Sequence, residues 1–338
     1  MQKLLIISDA WMPQINGVVR VLSTIAPLLR DRGIDVVVAH PGLFRRTFSV
    51  SFYPEVSLTI LPARKMRAIF DQERPDYVHI ATEGPLGISA RRICTHRGMP
   101  FTTAYHTNFP LYIGYYMGKI FIPLVSFYLR WFHRTSQAVF VSTRTLKENL
   151  ESQGYHTVVL TPLGVDTERF KRTESNALMP DMARPVFVYM GRVAKEKNIE
   201  EFLQAQLPGT KLVIGDGPAR IELEAKYGTK VRFVGYKQGA ELVDWLSQGD
   251  VCVFPSRTET FGMVMLEAMA CGLPVAAHDV MGPRDVISPG HDGMLDDDIA
   301  KAALACLSIS PHVCREKALH YSWKKSADTF LDTVRRYR

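Results

Sequence analysis

Two successive series of short apolar runs, each interleaved with longer segments of helical periodicity, restrict this 338-residue chain to very few folds. The first series is Leu4–Ser8, Asp35–Ala39, Tyr77–Ile80, Phe101–Ala104, Ala138–Val141 and Val158–Thr161, with helical patterns such as Val18–Asp31 and Leu86–Gly98 between them. The pattern then restarts at Val186–Met190 and continues through Lys211–Ile214, Val231–Val234, Val251–Pro255 and Pro274–Ala277. Its helical segments are Ile199–Gln206, Arg220–Tyr227, Glu241–Gln248 and Phe261–Cys271. Short strands joined by crossover helices build a parallel sheet covered on both faces. The expected fold is therefore α/β, with two Rossmann-like doubly wound domains, residues 1–161 and 162–324, facing across a ligand cleft at the carboxyl ends of their sheets. In the stretch Trp323–Arg338, Ala327, Phe330, Leu331 and Val334 have the spacing of one amphipathic helix, so residues 325–338 are expected to complete the first domain.

The net charge of +7 is unevenly placed. Residues 1–161 hold 18 Lys and Arg against 10 Asp and Glu, or +8, which leaves 23 against 24, or −1, for the rest. Such asymmetry points to an anionic partner of the first half, either nucleic acid or the cytoplasmic leaflet of a membrane. Aromatic residues interleaved with basic ones occur only in FPLYIGYYMGKIFIPLVSFYLRWFHR, residues 109–134, whose apolar character argues against nucleic acid. Pro123 and the cations Lys119, Arg130 and Arg134 make it too interrupted to span a bilayer. It is read as an interfacial segment in which Tyr112, Tyr115, Tyr116, Phe121 and Trp131 insert while Lys119 and Arg130 meet lipid phosphates; ordinary core packing is the alternative. Arg45, Arg46, Phe48, Arg64, Lys65 and Arg67 add to the same basic, partly apolar character. The opening apolar run, Leu4–Ile7, is too short for a signal-peptide core, and five scattered cysteines (Cys94, Cys252, Cys271, Cys306, Cys314) without C-x-x-C spacing suit a reducing cytoplasm better than a disulfide or zinc framework.

The stretch FPSRTETFGMVMLEAMACGLPV, residues 254–275, places Glu259 among loop and cap residues and Glu267 within an otherwise apolar helical run. An ionised carboxylate in such a helix costs several kcal/mol unless hydrogen bonds meet it. A basic side chain or a polar notch could do so; so could a ligand diol such as a ribose, whose two hydroxyls a carboxylate accepts together. VYMGRVAKEKN, residues 188–198, ends a strand with Gly191 and delivers Arg192, Lys195 and Lys197 to the sheet's carboxyl edge, where they could neutralise a diphosphate or form a solvated loop. SDAWMPQINGVVRVL, residues 8–22, lacks G-x-G-x-x-G, which weakens a nicotinamide or flavin reading, but opens a helix near Gly17 whose N-terminus favours an anion. GDGP, 215–218, reads as a structural turn, and His106 follows a strand at the cleft edge. Asp296–Asp298 precede a helical pattern and read as a cap, so no metal is assigned.

Together PQINGVVRVL, EGPLG, YHTNF, PLGVD, GRVAKEKN and E-T-F-G…E resemble the retaining glycosyltransferases of family 4 (GT4), which have the GT-B fold, over nearly the whole chain. DAWMPQINGVVRVL with TAYHTNFPLYI looks most like bacterial and plastid enzymes that glycosylate diacylglycerol or related lipids. The resemblance implies a nucleotide sugar, UDP-linked in our reading, as co-substrate with no cofactor, and a lipid acceptor on the inner face of the cytoplasmic membrane; the alternatives are transfer to a soluble sugar or polyol and a non-catalytic sugar-nucleotide-binding protein. It implies that Glu267 binds the ribose and that Glu259 binds donor-sugar hydroxyls, with Thr260 beside them. Phe261, Gly262 and Met263 would offer backbone N–H groups, Arg192 and Lys197 would hold the diphosphate next to Gly191, and Tyr236 would lie near the base. Gly17 would allow close approach, and His106 would sit beside the transferred sugar.

Overall fold

The computed structural model describes residues 1–14, 16–50, 53–173 and 181–337. The chain divides into two compact units, Met1–Leu163 with Trp323–Arg338 and Gly164–Ser322. In the first, β1 (Gln2–Ile7), β2 (Ile34–Ala39), β5 (Tyr77–Ile80), β6 (Thr102–Ala104), β7 (Ala138–Val141) and β8 (Val158–Leu160) form a parallel sheet in the order β2-β1-β5-β6-β7-β8. Leu4, Leu5, Ile6 and Ile7 are all fully buried, because helices cover both faces of the sheet and no side of β1 sees water. Between β2 and β5 the chain adds an antiparallel pair, β3 (Thr47–Val50) with β4 (Tyr53–Thr59), then the helix Ala63–Glu73.

The second unit repeats the plan. Strands β9 (Val186–Met190), β10 (Thr210–Ile214), β11 (Val231–Gly235), β12 (Val251–Phe254), β13 (Val275–Ala277) and β14 (Gly293–Leu295) are parallel, in the order β11-β10-β9-β12-β13-β14. In each sheet the chain reverses its direction of progress once: between β1 and β5 in the first, between β9 and β12 in the second. Loops leaving the carboxyl ends of such neighbours diverge to opposite faces and open a crevice, the usual ligand site of open α/β sheets. Those loops are residues 8–14 and 81–84 in one unit, 191–198 and 255–262 in the other.

The C-terminal helix runs Trp323–Arg336 and buries Ala327, Phe330, Leu331 and Val334. Phe330 meets His79 and Phe140 edge-on at 4.8 and 5.2 Å between ring centres, so the helix seals the first sheet; Arg338 lies outside the described residues.

Candidate active site

In the second unit both crevice loops are fixed by contacts that tolerate little else. Gly191 leaves β9 at φ +150°, and a Cβ added to Gly215 or Gly217 would lie 1.8 Å from the Gly191 carbonyl oxygen or 2.4 Å from that of Val193. The GDGP turn is thus a structural backing, and Asp216 accepts from Val193 N–H at 2.8 Å through its carbonyl. Tyr189 Oη donates to Arg192 O at 2.6 Å. Thr258 Oγ1 donates to Glu196 O at 3.2 Å and Asn198 Nδ2 to Pro255 O at 3.2 Å, which sews the loop after β9 to the loop after β12.

This stitching brings the predicted charges together. Lys197 Nζ donates to Glu259 Oε1, which also accepts from Ser256 Oγ at 3.4 Å. Arg192 Nη1 stands 3.8 Å from Glu196 Oε1, whose side chain is fully buried. Gly262, at φ +85°, precedes the helix Met263–Ala270; a Cβ there would strike Met265 Cε at 2.7 Å. Its conformation turns the chain so that the first N–H groups of that helix lack intrahelical acceptors and carry the positive end of the dipole. Phe261 is buried edge-on to Tyr321, Thr260 is half-buried beside it, and Tyr236 is exposed just beyond β11. Glu267, 3 % exposed on the Met263–Ala270 helix, lies close enough to the thiols of Cys252 and Cys271 to reinforce the upward push to about 12 that burial gives each.

One supporting group here has no sequence signal. His278 is fully buried and its Nε2 meets Glu201 Oε2 at 2.9 Å; Glu201 also accepts from Asn198 Nδ2 and lies 3.7 Å from Arg257. No fixed spacing relates His278 to Glu201, 77 residues away, so only the fold reveals the link.

In the first unit Gly17 is the first residue of the helix Gly17–Arg30, capped by Asn16, whose side chain accepts from Val19 N–H at 3.0 Å. His106 follows β6; the residue is half-buried, but its Nε2 is enclosed and its ring lines a cavity of about 20 Å³ with His79, Phe140 and Phe330. Burial pushes its imidazole down to about 4, so it is neutral at pH 7 and offers a hydrogen bond rather than a charge.

Sequence reading passed over Asp9 and Glu83, the two carboxylates at this switch point. Asp9 accepts from Leu86 N–H at 3.0 Å and Gly87 N–H at 3.4 Å, and from Thr82 Oγ1 at 2.9 Å, capping the helix Pro85–Arg97 from another strand's loop. A Cβ on Gly84 would lie 2.5 Å from that carboxyl, so the EGPLG glycine keeps the space open. Glu83 is buried with its Oε1 3.3 Å from His133 Nε2, and its carbonyl accepts from Tyr128 Oη. Burial, more than these hydrogen bonds, sets the pKa of Asp9 and raises it to about 6. The folded pKa then lies above the unfolded 3.8, so the folded state binds more protons in between, and stability contributed by Asp9 is full below about pH 4 and falls as pH rises through 6. Asp9→Asn should abolish this slope: measured by denaturant unfolding, the variant should gain about 2–3 kcal/mol relative to wild type between pH 4 and 7. A constant difference across that range would refute the assignment.

The aromatic tract folds into the helix Phe109–Tyr116, a short 3-10 turn Lys119–Phe121 and the helix Ile122–His133. The first helix buries no residue, and Ile120, Leu124 and Phe127 are 84, 65 and 64 % exposed. Core packing accounts for Leu129, Phe132 and His133 at the end of the tract but not for residues 109–127. Tyr115, Tyr116, Lys119, Phe121 and Arg130 are exposed and Tyr112 is half-buried. Trp131 is half-buried; it stacks under Arg91 at 4.1 Å and packs against the first-unit core, which holds the helix in place. No helix among the described residues is long and apolar enough to cross a membrane. Asp298 accepts from Ala300 and Lys301 N–H at 2.9 and 3.2 Å and Asp296 pairs with Lys301, so the acidic tract is a helix cap.

Known proteins resemble this chain in sequence and in fold. Residues 15–169 match the model described as Glycosyltransferase Family 4, and residues 184–310 that described as Glycosyl transferases group 1. The chain is 29 % identical over 316 residues to a GDP-mannose-dependent alpha-mannosyltransferase of Mycobacterium tuberculosis, covering 86 % of this chain and 82 % of that one. It is 29 % identical to the sulfoquinovosyl transferase of Arabidopsis thaliana over 78 % of this chain and 57 % of that one. It is also 24 % identical to the alpha-monoglucosyldiacylglycerol synthase of Streptococcus pneumoniae over 98 % and 84 %. Among solved structures, sucrose-phosphate synthase from Thermosynechococcus elongatus superposes with a TM-score of 0.80 at 21 % identity over 99 % of both chains. With both domain models matched and two parallel-sheet units of this kind, the chain belongs to the family 4 glycosyltransferases and has the GT-B fold.

Proposed function

We propose that the chain transfers a hexosyl or uronosyl group from a nucleotide sugar, a UDP-sugar in our reading, to a membrane lipid such as diacylglycerol, with retention of configuration and without a metal ion. The protein works at the inner face of the cytoplasmic membrane as a peripheral enzyme. The observation that carries the lipid reading is the exposed apolar surface of residues 109–127, a large patch that a monomer in water does not normally leave uncovered. The pneumococcal relative is named for a glucosylated diacylglycerol, while the mycobacterial one is named for GDP-mannose, so lipid class and nucleotide are tested together.

In the donor unit Glu267 accepts the ribose hydroxyls and Glu259 those of the sugar. As the bond from the anomeric carbon to the β-phosphate oxygen breaks, negative charge collects on the diphosphate, where Arg192, Lys197 and the start of the Met263–Ala270 helix stabilise it. The acceptor hydroxyl bonds to the anomeric carbon on the same face, and its proton passes to the departing phosphate oxygen. His106, neutral, hydrogen-bonds the transferred sugar. Turnover measured by mass spectrometry against UDP- and GDP-sugars, with and without diacylglycerol vesicles, tests the reading. Glycolipid formed only with vesicles supports it; transfer to soluble sugars or polyols at the same rate without them overturns the lipid assignment.

A further inference from the structure

One carboxylate of the second unit ties several of its crevice loops together. Glu201, in the first turn of the helix Ile199–Gln204, accepts through Oε2 from His278 Nε2 at 2.9 Å and from Asn198 Nδ2. His278 directly follows β13, and its Nδ1 lies 3.2 Å from Asp296 O, just beyond β14. The ring is fully buried, so these two oxygens, both acceptors, fix its orientation out of contact with water. The helix itself does not need the carboxylate as an anchor, because Ile199, Phe202 and Leu203 are buried beneath it.

Asn198 is the other end of the chain of contacts. It ends the 3-10 turn Lys195–Lys197 at φ +52° and ψ +28°, a left-handed conformation that asparagine enters more readily than most residues. Its Nδ2 donates both to Glu201 Oε2 and to Pro255 O, the latter at 3.2 Å. Lys197, its neighbour in sequence, pairs with Glu259, which lies later in the loop that Pro255 begins. The other oxygen of Glu201 faces Arg257 of that loop at 3.7 Å. The carboxamide of Asn198 thus sets the spacing between the loop of Lys197 and the loop of Glu259, and Glu201, steadied by His278, sets the carboxamide. A lysine stem has four rotatable carbons, so where its Nζ stands depends on how firmly the backbone beneath it is held.

We infer that His278 and Glu201 are positioning residues for glycosyl transfer: through the Asn198 carboxamide they hold Lys197 where the departing diphosphate gains charge. The inference rests on the proposed role of Lys197 and not on the identity of the sugar or of the acceptor.

The test is steady-state kinetics with whichever sugar nucleotide of a UDP and GDP panel wild type turns over fastest, in wild-type and Lys197→Ala backgrounds. Glu201→Ala should lower kcat on the order of 10-fold, the cost of a small misplacement of a catalytic group, while KM for the nucleotide sugar stays within about twofold. Glu201→Gln keeps an acceptor oxygen for both Asn198 and His278 and should restore kcat to within about threefold of wild type. In the enzyme that already carries Lys197→Ala, Glu201→Ala should cost less than about twofold, because the group it positions is gone. Asn198→Gly removes the carboxamide alone from a backbone conformation that glycine adopts freely, and should lower kcat as Glu201→Ala does even where Glu201→Ala does not fold. Equal fold-losses in the two backgrounds, a Glu201→Gln enzyme as slow as Glu201→Ala, or an unchanged kcat in Asn198→Gly overturns the inference. Near-normal kcat in Lys197→Ala itself would sink the leaving-group role and the inference with it, whereas equal fold-losses beside a slow Lys197→Ala sink the inference alone.

Discussion

Replacing Lys197 with alanine is expected to lower kcat by about 10²- to 10³-fold, the usual cost of removing one group that stabilises charge in the transition state. KM for the nucleotide sugar should move far less, since the leaving-group charge is complete only as the glycosidic bond breaks. The folded state should survive. Lys197 and Glu259 pair with each side chain 18 % exposed, so the orphaned carboxylate keeps access to water, and a partly exposed pair contributes little stability. Arg192→Ala should reduce kcat comparably but is the less clean variant, because Arg192 faces the fully buried Glu196 carboxylate. Removing one partner of a buried pair typically costs about 3–5 kcal/mol, so Arg192→Ala should also unfold at lower denaturant. Steady-state kinetics beside denaturant unfolding separate the two effects. A Lys197→Ala enzyme with near-normal kcat would remove Lys197 from the leaving-group site.

The strands that carry this site were legible because they are buried on both faces. Leu4–Ile7 and Val186–Met190 read as continuous apolar runs for that reason, and their order of appearance implied two parallel sheets. An amphipathic helix with a full apolar stripe, such as Trp323–Arg336, was legible too; two elements with little apolar patterning were not. The helix Ala63–Glu73 buries only Met66 and Phe70 among cations, and the β3–β4 pair carries polar residues on an isolated hairpin, so neither interrupts the chain with a hydrophobic signal. The same divide runs through the site. Glu259, Glu267, Arg192 and Lys197 stand out as charges at strand ends or within an apolar helix. Asp9 and Glu83 stand equally close to strand ends, but their partners are backbone N–H groups of Leu86 and Gly87 and the imidazole of His133, contacts that only the switch point between β1 and β5 creates. That Trp131 stacks under Arg91 was likewise not legible, because composition cannot tell which side of a helix faces a partner.

Changing Ile120, Leu124 and Phe127 together to aspartate should weaken vesicle binding by more than about 100-fold, since each apolar side chain fully transferred from water contributes roughly 1.5–3 kcal/mol and each new carboxylate is repelled by an anionic surface. The three are 64 to 84 % exposed, so thermal unfolding should stay within a few degrees of wild type, as surface substitutions do. The helix Ile122–His133 should hold its place because its anchors lie on the other side: Arg91 Nε donates to Phe132 O at 2.8 Å and Nη2 to Trp131 O at 2.9 Å, Tyr128 Oη donates to Glu83 O, and His133 faces the Glu83 carboxylate. Glycolipid synthesis on vesicles should therefore collapse while transfer to a short-chain, monomeric diacylglycerol persists within about threefold, a split that a folding defect cannot produce. Equal loss on both acceptors would place these residues in the acceptor pocket itself, and unchanged synthesis on vesicles would return the exposed tract to an interface with some other partner.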